Sequence, residues 1–126
     1  MKFRLLLWLL GVALARASRR NAAFREQLQG RTLVFLLQTH DGHIARHYRV
    51  ENLGVHSAAG SIAHPDFRID FRDAAYGFAA LTAPNKQLAF MQGVQNKDIQ
   101  IHGNPALVLW FQGLVQQLGE RRRPAA

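Results

Sequence analysis

Residues 65–82, PDFRIDFRDAAYGFAALT, decide the fold class because the hydrophobic pattern changes its period within them. From Phe67 to Phe71 apolar and polar side chains alternate, which predicts a half-buried strand. Asp73 is then a suitable N-cap, and Ala74 to Thr82 is predicted as an apolar helix. A strand followed at once by a helix places this stretch at the junction between a sheet and a helical layer.

Upstream of this stretch the sequence predicts strands joined by tight turns. Asp41–Gly42 is a strong hairpin signal, because both residues tolerate a positive φ angle. The stretch TLVFLLQT before it is rich in strand formers and predicts a buried strand. The predicted elements are a helix over 22–29 with Asn21 as its N-cap, and strands over 32–39, 43–50 and 55–59.

Downstream the pattern returns to helices, with one late strand between them. Pro84 suits the start of a helix, and Gly93 is expected to stop it. The predicted elements are helices over 85–92 and 105–118 and a strand over 98–102. Antiparallel hairpins, then helices, then one strand and a last helix predict an α+β domain with one sheet and helices on one of its faces.

The net charge of +8 lies at the two ends of the chain. Residues 1–31 hold seven basic residues and one acidic residue, and residues 120–126 add three arginines and one glutamate. Residues 32–119 carry six charges of each sign and are neutral. We therefore expect a globular domain over 21–119 between an apolar, basic-flanked helix over 1–20 and a basic tail over 120–126. Basic chain ends beside a neutral domain favour an anionic surface, rather than nucleic acid, as the partner.

The apolar run from Leu5 to Ala15 has basic residues on both sides and no polar face of its own. Eleven residues of helix are too short to cross a bilayer, whose apolar core is about 30 Å thick. Three interpretations stay open: a secretory signal within residues 1–15, an interfacial membrane anchor, and a helix that packs on its own domain or on a second copy. The anchor would contact lipid through Leu5, Leu6, Trp8, Leu9, Arg16, Arg19 and Arg20.

The sequence offers little chemistry for catalysis. It has no cysteine, no nucleophile elbow, no phosphate loop and no dinucleotide fingerprint. His43 and His47 are predicted on one strand face, about 13 Å apart, which is too far for two ligands of one metal ion. Asp66, Asp70 and Asp73 are explained by a turn, the solvated face of a strand and a helix cap. We expect no catalytic residue, no metal, no cofactor and no enzyme.

The order of motifs after residue 67 resembles the sterol carrier protein 2 family, in its bacterial type. The shared string is a helix end AFMQG over 89–93, a strand and turn IQIHGN over 99–104, and an apolar last helix. The stretch from Phe24 to Gly30 before the first strand is also similar. The resemblance covers most of residues 24–118, and residues 94–97 are an insertion relative to shorter members.

The resemblance implies a five-stranded, antiparallel or mixed sheet covered by helices that enclose an apolar tunnel. The ligand of such a tunnel is a fatty acyl chain, a sterol-like molecule, a phospholipid or an isoprenoid. The residues expected to line it are Ile69, Phe71, Phe78, Leu81, Phe90, Met91, Ile99, Ile101, Leu107, Phe111 and Leu114. From the pattern alone, the same residues fit an ordinary filled core, because apolar stripes more often form core than pocket.

The function expected from these observations is a lipid carrier in the cytoplasm that works peripherally on the inner membrane. The resemblance also implies an alternative, an accessory factor in ubiquinone biosynthesis that presents an isoprenoid intermediate to enzymes. A third alternative is an interaction module with a filled core, in which the first helix drives homodimer formation.

Overall fold

The computed structural model describes the backbone of residues 2–121 and the side chains of residues 2–116. The side chains of the predicted basic tail, residues 120–126, and of Leu118 therefore lie outside the described residues. The elements are α1 Lys2–Arg20, α2 Ala22–Leu28, β1 Leu33–Thr39, β2 Ala45–Glu51, β3 Gly54–Ala59, β4 Phe67–Phe71, α3 Ala74–Thr82, α4 Lys86–Gln95, β5 Ile99–Gly103 and α5 Pro105–Arg121.

The five strands form one mixed sheet in the order β3-β2-β1-β4-β5. β1 and β4 are parallel neighbours, with Phe35 opposite Phe67, and every other pair is antiparallel. Phe35, Tyr48 and Phe67 lie in register on one face, and α1 and α5 bring apolar side chains to that face. The predicted α+β class with a single five-stranded sheet is confirmed.

The predicted starts of α2 and α3 are confirmed, and in both helices a side-chain oxygen accepts the free N–H groups of the first turn. The Asn21 carboxamide accepts from the amides of Ala23 and Phe24, and the Asp73 carboxylate accepts from the amide of Tyr76 at 2.8 Å. The hydrogen bond from the Tyr76 amide lowers the pKa of Asp73 most, and the Arg72 guanidinium lowers it further. These caps depend on local sequence alone.

The prediction that Gly93 ends the second helix is wrong, since α4 continues to Gln95. Gly93 is buried, and a Cβ atom on it would lie 2.5 Å from Ile99 Cδ1 and 2.6 Å from Tyr76 Oη. The glycine therefore serves close packing between α4 and β5 rather than helix termination. The helix ends at Gln95 with Asn96 as its C-cap, and Lys97 follows at a φ of 63°. Residues 94–97, predicted to be an insertion, form the end of this helix and the turn after it.

The second strand begins at Ala45 and not at His43, because side chains satisfy the backbone of the preceding loop. The Asp41 carboxylate accepts from the His43 amide at 3.0 Å, and the Thr39 hydroxyl accepts from the Ile44 amide at 3.2 Å. His43 is thus a loop residue, and the prediction that it shares a strand face with His47 is wrong.

Candidate lipid-binding site

The helix-covered face of the sheet carries a compact group of aromatic side chains. The Phe35 ring stacks on Tyr48 and on Phe67, with ring centres 4.9 Å apart in both pairs. Phe111 of α5 packs on Phe35 at 5.0 Å, and Trp110 meets the Phe35 ring edge-on at 6.4 Å. Phe35 is therefore the centre of the apolar layer between sheet and helices.

The residues predicted to line a lipid tunnel lie in this layer, with one exception. Met91 is 54 % exposed, because Phe90 and Gly93 take the inward positions of α4. Seven of the predicted residues are buried in the core, and three are half-buried against it. The buried ones are Ile69, Phe71, Leu81, Phe90, Ile99, Phe111 and Leu114, and the half-buried ones are Phe78, Ile101 and Leu107. That these residues line a lipid stays a prediction.

The inner face of α1, formed by Phe3, Leu7, Gly11 and Leu14, is a part of this layer that the sequence analysis missed. All four residues are buried. The Phe3 ring meets Phe71 of β4 edge-on at 5.6 Å. The spacing of the four residues follows the helical period, but the apolar residues on the other side of α1 concealed it.

Gly11 lies where α1 packs closely against β3. A Cβ atom on Gly11 would lie 3.0 Å from Ser57 Cβ on β3, so a larger residue would push the helix outward. One helical turn earlier, the Tyr48 hydroxyl of β2 donates a hydrogen bond of 2.8 Å to the Leu7 carbonyl. The aromatic layer and α1 are thereby joined by a buried polar contact.

The outer face of α1, formed by Leu5, Trp8, Leu9 and Val12, is apolar and exposed. These side chains are 43–56 % exposed, whereas Leu6 is half-buried toward the domain. They follow the helical spacing i, i+3, i+4 and i+7, so they form one stripe. Exposed basic residues stand at both ends of the stripe, namely Lys2, Arg4, Arg16, Arg19 and Arg20. Among the described residues, no helix is both long and apolar enough to span a bilayer.

The opposite face of the sheet is polar around Asp70. The prediction that Asp70 is a solvated strand residue is wrong, because its side chain is buried. Arg68 Nε lies 3.0 Å from one carboxylate oxygen, the Gln38 amide donates to the same oxygen at 3.1 Å, and His102 Nε2 lies 3.8 Å from the other. The contacts of Asp70 thus connect β1, β4 and β5, and they explain Asp70 as a structural residue.

The histidines do not gather into a ligand set. His47 Nδ1 is 2.9 Å from the Gly60 carbonyl, which fixes its ring against the loop after β3. Within the described part of the chain, no three residues of the types that bind metals lie close enough to hold an ion. The helix-covered face of the sheet thus supplies apolar area, and the described polar contacts hold the fold.

Burial in the apolar layer raises the pKa of Tyr48 above its ordinary value of 10.0, although the Arg46 charge acts in the other direction. The unfolded chain therefore loses this proton from about pH 10, while the folded protein keeps it. The contribution of Tyr48 to the free energy of unfolding is fully present below that pH and decreases as the pH rises above it. We expect the Tyr48→Phe protein to lose about 1 kcal/mol at neutral pH and to show a flatter alkaline decline.

Urea denaturation at a series of pH values between about 8 and about 11 measures this decline. Tyr76→Phe is the comparison variant: burial also raises the pKa of Tyr76, but this other tyrosine of the chain is only half-buried, so its removal should change the alkaline slope less than Tyr48→Phe does. Equal alkaline slopes in wild type and Tyr48→Phe would contradict the assignment.

Comparison with solved structures identifies the class of this fold. The chain matches a structure titled "UbiJ-SCP2 Ubiquinone synthesis protein" with a TM-score of 0.66 over 96 % of this chain and 95 % of that one, at 13 % identity. It also matches sterol carrier protein 2 like 2 from Aedes aegypti, with a TM-score of 0.50 over 78 % of this chain and 96 % of that one, at 19 % identity. The chain is therefore an SCP2-like domain in fold, as the motif order predicted.

The same fold occurs inside a much larger protein. The stereoselective inverting sec-alkylsulfatase Pisa1 from Pseudomonas sp. matches 71 % of this chain with a TM-score of 0.52 at 15 % identity, but only 14 % of the sulfatase chain is covered. No family model and no curated relative matches the sequence. The match to the UbiJ-SCP2 structure extends over nearly the full length of both chains.

Proposed function

We propose that this domain is a non-catalytic lipid carrier that holds one apolar ligand between its sheet and its helices. The observation that carries the proposal is the continuous apolar layer around Phe35, into which five helices and five strands direct side chains. Burial of apolar ligand surface there contributes about 25 cal/mol per Å², so a long acyl, sterol-like or isoprenoid chain needs no polar partner along its length. The SCP2-like fold supports the proposal.

The proposed place of action is a membrane surface. The outer face of α1 combines exposed apolar side chains with five cations, which suits a bilayer interface rich in anionic lipid. We propose a cytoplasmic protein that binds peripherally to the inner membrane, with the anionic bilayer and its lipids as the partners. An exported form cut after residue 15 would lack Phe3, Leu7 and Leu14, which belong to the core.

A second candidate function is an accessory role in ubiquinone biosynthesis, in which the ligand is an isoprenoid intermediate presented to enzymes. The observation that favours it is the match over nearly the whole of both chains to a structure whose title names ubiquinone synthesis. The two candidates differ in the ligand and agree on the site.

Native mass spectrometry of the purified full-length protein, followed by solvent extraction, tests both candidates. We expect one lipid per chain, released by solvent, and its identity decides between a phospholipid or fatty acid and an isoprenoid quinone precursor. A protein that stays bare after incubation with fatty acids, phospholipids and quinones would refute both. A concentration-dependent dimer without ligand would then favour the interaction module instead.

A further inference from the structure

The two faces of α1 point to a further role for this helix, one that rests on the proposed function. We propose that α1 is a removable cover of the lipid site, and that an anionic membrane is the partner that removes it. The outer face of α1 binds the bilayer first. The inner face then leaves the sheet as the whole helix moves into the bilayer interface, and a lipid enters in its place.

The inner face of α1 occupies the place that a ligand needs. The Phe3 ring lies between Phe71 of β4 and Gly77 of α3, and a Cβ atom on Gly77 would be only 2.6 Å from the ring. Phe71 is a predicted wall residue, and Phe78 beside Gly77 is another. Because the layer is closely packed here, Phe3 and a lipid chain cannot share this space.

When α1 moves from the sheet to the bilayer interface, few apolar side chains become exposed to water. Hydrocarbon tails are as apolar as a protein core, so Leu7 and Leu14 stay out of water in either place. Trp8 and Leu9 are in water while α1 covers the sheet, and they gain burial in the bilayer. The basic residues gain lipid phosphates as partners, and the incoming lipid covers the sheet face that α1 has left.

The attachment of α1 permits such a movement. A single residue, Asn21, connects α1 to α2, and its side chain caps α2. Apart from apolar packing, two hydrogen bonds of the described residues join α1 to the sheet region. The first runs from Tyr48 to the Leu7 carbonyl, and the second from Arg4 to the His43 carbonyl at 3.0 Å on the surface.

The Tyr48 contact also indicates the chemistry of the ligand. When α1 leaves, the Tyr48 hydroxyl loses its acceptor inside an apolar layer, and a buried donor without an acceptor is unfavourable. A ligand with an oxygen acceptor at one end replaces the Leu7 carbonyl. The class that fits is therefore an apolar chain with a terminal carboxylate, carbonyl or ester group.

Thiol labelling detects the departure of α1 directly. The chain has no cysteine, so Ser57→Cys introduces a single thiol, at a half-buried position under Gly11. We expect phosphatidylcholine–phosphatidylglycerol vesicles to raise its maleimide labelling rate at least about tenfold. Ala58→Cys is the matched control, since Ala58 is exposed on the opposite face of β3 and should not respond. Vesicle binding with an unchanged rate at Ser57→Cys would overturn the proposal.

A covalent lock tests whether the cover controls ligand entry. Gly11→Cys/Ser57→Cys places two Cβ atoms 3.0 Å apart, and a shift of some tenths of an ångström gives the spacing of about 3.8 Å that a disulfide needs. Transfer of cis-parinaric acid from phosphatidylcholine–phosphatidylglycerol vesicles to the protein is measured in the oxidised and the reduced forms. We expect similar vesicle binding in both forms, and transfer at least about tenfold slower in the oxidised one.

The outcomes of this transfer experiment distinguish a failure of the proposed cover from a failure of the proposed lipid binding. Equal transfer in the oxidised and reduced forms overturns the cover and leaves lipid binding intact. Absence of transfer to wild type and to both forms overturns lipid binding and the cover together. Slow transfer only in the oxidised form, restored by reduction, supports both.

Discussion

The Phe35→Ala protein is expected to lose about 3–5 kcal/mol of unfolding free energy, the usual cost of removing a fully buried phenylalanine. Phe35 is 1 % exposed and touches four aromatic rings from three other elements, so the cavity would open at the centre of the apolar layer. Aromatic pairs also contribute beyond the area that they bury. The loss corresponds to a change of at least about a hundredfold in the unfolding equilibrium.

Urea denaturation followed by circular dichroism measures this loss. Trp8→Ala is the matched control, because it removes an aromatic side chain that is 49 % exposed on the outer face of α1. Its effect on stability should stay within about 0.5 kcal/mol, as for most surface substitutions. Equal losses in the two variants would mean that the aromatic group around Phe35 is not the centre of the core.

The double variant Leu5→Asp/Leu9→Asp is expected to bind anionic vesicles at least about a hundredfold more weakly than wild type, because each change removes apolar area and adds a charge that anionic lipid repels. Both leucines are exposed, so the fold should persist with a small loss of helix propensity. Sedimentation with phosphatidylcholine–phosphatidylglycerol vesicles measures the binding. Raised salt should weaken the wild-type interaction, since five basic residues flank the stripe.

The control for this pair makes the same chemical change elsewhere on the surface. Leu53→Asp/Leu88→Asp alters two leucines that are 43 % and 47 % exposed, at the β2–β3 turn and on α4. We expect this protein to bind vesicles as wild type does. A comparable loss in both double variants would show that membrane contact does not depend on the outer face of α1.

Helix and strand boundaries were predictable where the signal is local. The Asn21 and Asp73 caps and the alternation in β4 each depend on residues that are close in sequence. The resemblance in motif order after residue 67 predicted the SCP2-like fold. Gly93 was placed wrongly because its packing against distant residues decided its conformation. His43 was placed wrongly because side-chain hydrogen bonds hold it in a loop.

The sequence predicted which residues form the candidate site better than it predicted where their side chains point. Phe90 and Met91 are adjacent apolar residues, and only the packing of α4 on β5 sends Phe90 inward and Met91 outward. Asp70 has the sequence position of a solvated residue, but Gln38 and Arg68 cover it. Tyr48 gave no signal, because its hydrogen-bond partner is 41 residues away.

The sequence by itself determined the fold class, the local elements and the basic, apolar character of the first helix, since periodicity, capping and charge are properties of neighbouring residues. Only the tertiary structure decided which side of α1 faces the sheet. An apolar run has no polar face to specify its orientation. That choice depends on the close approach of Gly11 to Ser57 and on the acceptor that Leu7 offers to Tyr48, and both contacts exist only when distant segments pack together.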